Sequence, residues 1–184
     1  QKNPDIMLWL GDNVYYREPD FYSKSRMDYR YKDARNTPQM QPLLAKAINL
    51  ATWDDHDFGP NNSNRSYRMR EEALAIFKRY WANPSYGIEG TNGVFTKYKY
   101  SDVEFFFMDD RYHRAPNNLR KTYKDFFGQA QLQWLKDGLV SSNATFKVVV
   151  VGNQVTNRRN QYESLFAYGQ EFDDLMKFLS RNEV

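Results

Sequence analysis

Short apolar runs separated by longer amphipathic segments set the rhythm of this chain. Residues 5 to 10, Ile48 to Trp53 and Phe146 to Val151 are runs of the length that buried strands use, each bounded by polar or glycine-containing sequence. Val94 to Tyr100 and Val103 to Met108 alternate, are rich in aromatic and β-branched residues, and are joined through Ser101-Asp102, which predicts a hairpin. Between the strands, Met69, Ala73, Ile76, Phe77 and Tyr80 recur at helical spacing, predicting a helix over 68–81 that Asn83-Pro84 ends. The same spacing predicts helices at Gln129 to Val140 and at Glu171 to Leu179. The tyrosine-rich segment Phe21 to Arg35 reads as a more polar helix, and Pro38 suits the first turn of another that reaches Lys46. Strands and helices alternate, so the predicted class is α/β. No internal repeat interrupts the pattern.

Composition narrows the reading. The 184 residues fit one domain, and 17% aromatic content supplies apolar area that the mean hydropathy of -0.85 understates. Charge is nearly balanced, 26 basic against 23 acidic, and the basic residues form no block, which gives little support to a nucleic-acid partner; an anionic small substrate fits equally well. Without cysteine there is no disulfide, thiolate metal site or thiol nucleophile. No apolar run approaches the roughly 20 residues of a membrane span. Both ends read as cut, because strand-like sequence starts almost at residue 1 and a helical pattern is still running near Val184.

The polar residues that follow the strands carry the candidate chemistry. Trp53-Asp54-Asp55-His56-Asp57-Phe58-Gly59 packs three carboxylates and an imidazole into four positions after a strand, a crowding that cations or hydrogen-bond donors must offset. Oxygen and nitrogen donors of this kind suit calcium, manganese, iron or zinc, although a solvated acidic loop has the same composition. Asn61 and Asn62, just downstream, fit a helix cap better than a carbonyl ligand. Gly11-Asp12-Asn13-Val14-Tyr15 ends the first strand, with Asp12 able to reach an ion and Tyr15 able to ligate a ferric ion as phenolate, or simply to pack in the core. A third strand end, Asp109-Asp110-Arg111-Tyr112-His113-Arg114, offers Arg111 and Arg114 either to a phosphoryl group or to neighbouring carboxylates.

With Gly128-Gln129-Ala130-Gln131-Leu132-Gln133-Trp134-Leu135 added, these motifs resemble, in order and over nearly the whole chain, the PhoD-like alkaline phosphatases of the calcineurin-like metallophosphoesterases. The resemblance implies an αββα sandwich with a mixed sheet and outer helices, a multinuclear metal centre at the strand ends, and hydrolysis of phosphate mono- or diesters, small, lipid-like or polymeric. It implies calcium and iron as the metals, with manganese or zinc as alternatives, and an exported, periplasmic or extracellular protein. Asp12 matches the bridging carboxylate, Tyr15 an iron-binding tyrosine and Asp55 a metal ligand. His56 matches the histidine that contacts phosphate or protonates the leaving group, while Asn62 and Arg111 match metal support and phosphate contact.

Relatives carry an earlier ligand-bearing strand and a later Gly-Asp-Arg-His-like segment that 1–184 lacks, so the expectation is a partial domain that binds metal weakly and turns over poorly. A first strand without its neighbour should also leave a sheet edge open to self-association. The competing expectation is a binding module without catalysis, holding an anionic polymer or carbohydrate on tyrosines such as Tyr98, Tyr100 and Tyr112 with dispersed arginines.

Overall fold

A computed structural model describes residues 3–120 and 123–182. Five strands form two sheets. Strands β1 (Ile6–Leu10) and β2 (Ile48–Thr52) pair in parallel, while β3 (Thr96–Tyr100), β4 (Val103–Phe107) and β5 (Phe146–Val150) form a mixed sheet in that order, antiparallel between β3 and β4 and parallel between β4 and β5. Six helices complete the fold: α1 (Lys24–Arg35), α2 (Gln41–Lys46), α3 (Asp55–Phe58), α4 (Arg70–Tyr80), α5 (Gln129–Ser141) and α6 (Gly169–Arg181).

Strand alternation sorts the side chains into three apolar layers, which explains why the strands read as continuous apolar runs. Leu50, Phe107 and Val150 meet between the sheets, joined by Ile6, Leu8 and Phe105. Their alternates face outward. Ala51 and Trp53 pack with Met27, Tyr31, Phe77 and Trp81 under α1 and α4, whereas Phe106 and Met108 pack with Leu132, Leu135 and Leu175 under α5 and α6. Helices therefore cover both outer faces of a two-sheet core, and the fold is mixed α/β.

The hairpin turn falls at Ser101 with its φ of 55° in the left-handed region, as the sequence pattern placed it. Three details differ from the pattern. Helix α1 starts at Lys24, three residues later than the aromatic pattern suggested, because Asp20 holds a preceding turn through Arg17 N–H at 2.8 Å and Arg30 Nε at 2.9 Å. The Pro38 helix opens as a 3-10 turn, Pro38–Met40, before α2. Asn83 also does more than end α4: its side-chain amide donates to the Ala51 carbonyl at 2.8 Å and its oxygen accepts from Ala51 N–H at 3.0 Å. One asparagine thus imitates a neighbouring strand and blocks the outer edge of β2.

The two sheets meet at their C-terminal ends, where Thr52 Oγ1 donates to the Met108 carbonyl at 2.6 Å. Gly11 sits at that junction with a φ of 89°, and a Cβ there would lie 2.8 Å from Asp54 Cβ and 3.0 Å from Gly152 Cα. Only glycine permits this approach. The residues following β1, β2, β4 and β5 consequently converge on one corner of the molecule.

Candidate metal centre

Asp12, Asp55 and His56 meet at this corner, each offering a ligand atom, all within 4.8 Å of one another. Two local devices bring them together. After Gly11 the chain stays left-handed, with Asp12 at a φ of 52°, which turns its carboxylate off the strand end. After β2 the chain winds at once into α3, whose capping box joins Asp54 and Asp57. Asp57 Oδ1 accepts from Asp54 N–H at 2.6 Å, and Asp57 Oδ2 accepts from Asn13 Nδ2 at 2.9 Å.

That short helix, which the sequence pattern did not reveal, resolves the crowding of the acidic motif. Successive side chains on a helix point about 100° apart, so its four polar residues take separate positions. Asp57, the third helical residue of that capping box, is wholly buried, and burial pushes its carboxyl well above the usual range. Asp54 turns inward. Asp55 and His56 turn toward Asp12, His56 Nε2 lying 3.9 Å from Asp55 Oδ1. Tyr15 closes the group: its ring stacks on His56 with centroids 4.4 Å apart, and its hydroxyl donates to Asp12 Oδ2 at 2.7 Å. That hydrogen bond, with burial and the nearby carboxylates, pushes the phenol up to about 12.

Asn62 also reaches the cluster. It caps no helix, since α4 begins at Arg70; instead its backbone is left-handed, with a φ of 59°, and its N–H donates to Asp55 Oδ2 at 2.6 Å. The fit to a cation rests on orphaned acceptors. Asp12 Oδ1 and Asn62 Oδ1 are buried without any hydrogen-bond partner, an arrangement that costs about 1–3 kcal/mol per group unless something satisfies it. Among the described residues no basic side chain pairs with Asp12.

Of the two roles expected for Arg111, phosphate contact or counter-ion to neighbouring carboxylates, the geometry favours the second. Arg111 is fully buried, its Nε donates to Asp54 Oδ1 at 2.6 Å, its Nη2 also pairs with Asp54, and its Nη1 donates to the Ser63 carbonyl at 3.1 Å. A guanidinium held in this way has no face left for a substrate phosphate. Its charge instead offsets Asp54, Asp55 and Asp110, the latter two 3.9 Å away. Burial still pushes the Asp54 and Asp110 carboxyls up, Asp110 well above the usual range. Arg114 is buried as well, donating to Tyr168 Oη at 3.0 Å and Asn117 Oδ1 at 3.2 Å. The proposed tyrosine platform is likewise not assembled, because Tyr112 is buried with its hydroxyl on Glu71.

Several residues of the corner escaped the sequence pattern. Asp109 is a buried hub, accepting from Trp53 Nε1 at 2.8 Å and from the N–H groups of Arg111, Tyr112 and Val94 at 2.9 Å. Asn153 donates to Asp54 Oδ1 at 2.9 Å. Its signal was present: Gly152-Asn153 follows a buried strand as Gly11-Asp12-Asn13 does.

No curated protein matches the chain in sequence. In structure it is similar to a solved protein described as "Structure of PhoD", with a TM-score of 0.78 and 17% identity; the match covers 98% of this chain and 44% of that one. The chain therefore spans less than half the length of the structure it matches, and at this identity the likeness establishes the fold. A family model described as PhoD-like phosphatase matches residues 1–173. With that match running over most of its length and the strand-end acidic corner in place, the chain belongs to the PhoD-like phosphatase family.

Proposed function

We propose that this corner is the metal centre of a phosphoester hydrolase, with Asp12, Asp55 and His56 as ligands and Tyr15 and Asn62 completing its rim. The observation that carries this reading is the close approach of those three ligand atoms beside buried, unpaired acceptors on Asp12 and Asn62. Family membership supports phosphoester hydrolysis as the class of reaction. Calcium and iron fit best: carboxylate and amide oxygens suit calcium, whereas imidazole and a phenolate suit iron. Manganese or zinc could substitute.

When bound, such cations lower the pKa of a coordinated water and counter the charge that develops on phosphorus-bound oxygens. The protein groups do the rest. Asp12 and Asp55 hold the negative charge that fixes the centre, and Asn62 N–H fixes the Asp55 carboxylate. His56, half-buried and stacked with Tyr15, would offer a ring nitrogen to the same centre as its third ligand. Arg111 acts from behind, holding Asp54 and thereby the α3 cap that aims Asp55 and His56.

Three close ligands leave much of the coordination sphere of a calcium ion to water or other groups. Weak metal binding and slow turnover by the 184-residue chain, on monoesters or diesters alike, are therefore part of this proposal. So is an exported location, periplasmic or extracellular. The test combines elemental analysis after dialysis with hydrolysis of a chromogenic phosphodiester and phosphomonoester in calcium and iron. Sub-stoichiometric metal in the wild type and less still in Asp12→Asn, with the slow turnover of the wild type lost in both Asp12→Asn and Asp55→Asn, is the expected result. Equal metal content and equal turnover in all three proteins would overturn it in favour of a binding role.

A further inference from the structure

A cavity of about 350 Å³ opens at the start of β2, the end of that strand remote from the metal corner. Its size lies within the range of about 300–1,000 Å³ usual for small-molecule sites. Arg35, the last residue of α1, lines it together with Leu44, Ile48, Tyr80 and Trp81, and none of its lining residues is acidic. Among the described residues no carboxylate pairs with Arg35.

The guanidinium is held by ring faces instead. Its carbon lies 4.0 Å from the centre of the Trp81 ring and 5.7 Å from that of Tyr80. Its Nε and Nη2 are buried without any hydrogen-bond partner. These two nitrogens share one edge of the group, and their parallel N–H bonds match the two oxygens of a carboxylate. Arg111 turns the same edge to Asp54; at Arg35 no side chain of the described residues plays that part. Burial disfavours the unpaired charge and pushes this guanidinium down from its usual value.

The walls select among anions. Asn49 is fully engaged, its amide donating to the Leu44 carbonyl at 3.2 Å and the Ala47 carbonyl at 2.8 Å while its oxygen accepts from Trp9 Nε1 at 2.9 Å. The Tyr80 hydroxyl donates to Asp28 Oδ1 at 3.0 Å. Trp81 Nε1 is buried without an acceptor, and Leu44 and Ile48 are apolar. One guanidinium edge beside apolar walls matches a singly charged carboxylate, whereas a phosphate dianion would bring a second charge and further oxygens that these walls leave unsatisfied.

We propose that this cavity binds a small carboxylate with an apolar body, its oxygens on the Nε–Nη2 edge of Arg35 and its body against Leu44 and Ile48. The site stands on its own residues and does not depend on the reading of the metal centre.

The probes are benzoate, its uncharged analogue benzamide and inorganic phosphate, each titrated calorimetrically into the metal-free chain. Benzoate should bind about tenfold more tightly than benzamide, the size of one hydrogen bond to a charged group, and more tightly than phosphate. Arg35→Gln should erase the preference for benzoate over benzamide. Ala82→Glu, at an exposed position on the cavity wall, introduces a competing carboxylate without touching Arg35 and should weaken benzoate more than benzamide, which keeps the test decisive should Arg35→Gln misfold. Equal affinity for benzoate and benzamide in the wild type, or a preference that survives in Arg35→Gln with unchanged circular dichroism, overturns the proposal. Phosphate bound as tightly as benzoate overturns it as well, because the apolar walls would then select nothing.

Discussion

Two charged clusters occupy the same corner and solve opposite problems. Behind the strand ends, Asp54 and Asp110 are buried around Arg111; Asn153 and the Ser63 carbonyl partner Asp54 and Arg111, whereas Asp110 meets Arg111 at 3.9 Å with neither of its oxygens hydrogen-bonded. In front, Asp12, Asp55 and His56 gather at the rim, and among the described residues no basic side chain balances them apart from Arg111, 3.9 Å from Asp55. The rear cluster carries its own cation and therefore reads as structure; the front cluster leaves its charge for something external to neutralise. Adjacent aspartates in one motif, Asp54 and Asp55, fall on different sides of this divide because α3 turns them apart.

The largest expected effect breaks the rear cluster. Arg111→Met removes the one charge that pairs with Asp54 among the described residues and leaves buried carboxylates uncompensated, which should cost about 3–5 kcal/mol in urea unfolding. Adding Asp54→Asn to that variant should recover part of the loss, since it removes the charge left behind. A cost below about 1 kcal/mol would mean that Arg111 is not the counter-ion, and that the contrast between the clusters is false.

Glu171 sharpens the contrast from a third direction, because it is buried and no cation among the described residues pairs with it. Its oxygens accept from Phe126 N–H at 3.0 Å and Phe127 N–H at 2.7 Å, yet burial prevails and pushes the carboxyl up to about 7. A folded value above the unfolded one means that the native state binds the proton more readily. Stability should therefore be greatest below the ordinary glutamate value and fall as pH rises to about 7, by about 3 kcal/mol in total. Denaturation at about pH 5 and about pH 8 checks this against Glu171→Gln, whose pH dependence should be flatter. Identical profiles would show that backbone donors alone can carry a buried carboxylate.

The front cluster should respond to metal instead. At a free metal concentration about one hundred times its Kd, stabilisation of about 2.7 kcal/mol is expected, read as a rise in Tm with calcium, iron, manganese or zinc. Asp12→Asn should abolish that rise while leaving metal-free stability nearly unchanged, because Asp12 has no ion-pair partner to lose. A rise that persists in Asp12→Asn would move the metal elsewhere.

Why the two clusters were not separable in sequence follows from their geometry. Strands and helices were legible because burial imposes periods of two and 3.6 on the apolar residues: β2 and β4 alternate between the inter-sheet layer and an outer one, whereas β5, read as a buried run, exposes Phe146, Val148 and Val149 and buries Val150. The motifs at the strand ends were legible as chemistry. What periodicity does not encode is the direction of a side chain in four residues of capped helix, so Arg111 read equally well as phosphate ligand and as counter-ion. Nor does it encode distance: Asn153 joins Asp54 across 99 positions, and Asn83 reaches Ala51 across 32. Among the described residues β1 pairs with β2 along its full length on one side and is an edge strand on the other, the position foreseen for it.

The smallest effect on stability carries the finest distinction within the front cluster. Tyr15 is 41% exposed, so Tyr15→Phe keeps the stack on His56, loses only the exposed hydrogen bond to Asp12, and should change unfolding free energy by no more than about 0.5 kcal/mol. Without a cation the phenol is protonated at neutral pH, as any tyrosine is, and the hydrogen bond to Asp12 pushes it further up, to about 12. A ferric ion seated on Asp12 would reverse that preference by displacing the proton, and a coordinated phenolate absorbs visible light through charge transfer to the iron. Ferric titration should therefore colour the wild type and leave Tyr15→Phe pale, although both bind iron through Asp12 and Asp55. Colour in both would remove Tyr15 from the ligand set, and tight iron binding without colour in either would assign the phenol to supporting Asp12 alone. Either outcome still leaves the front cluster dependent on an external cation, which is where it differs from the cluster built around Arg111.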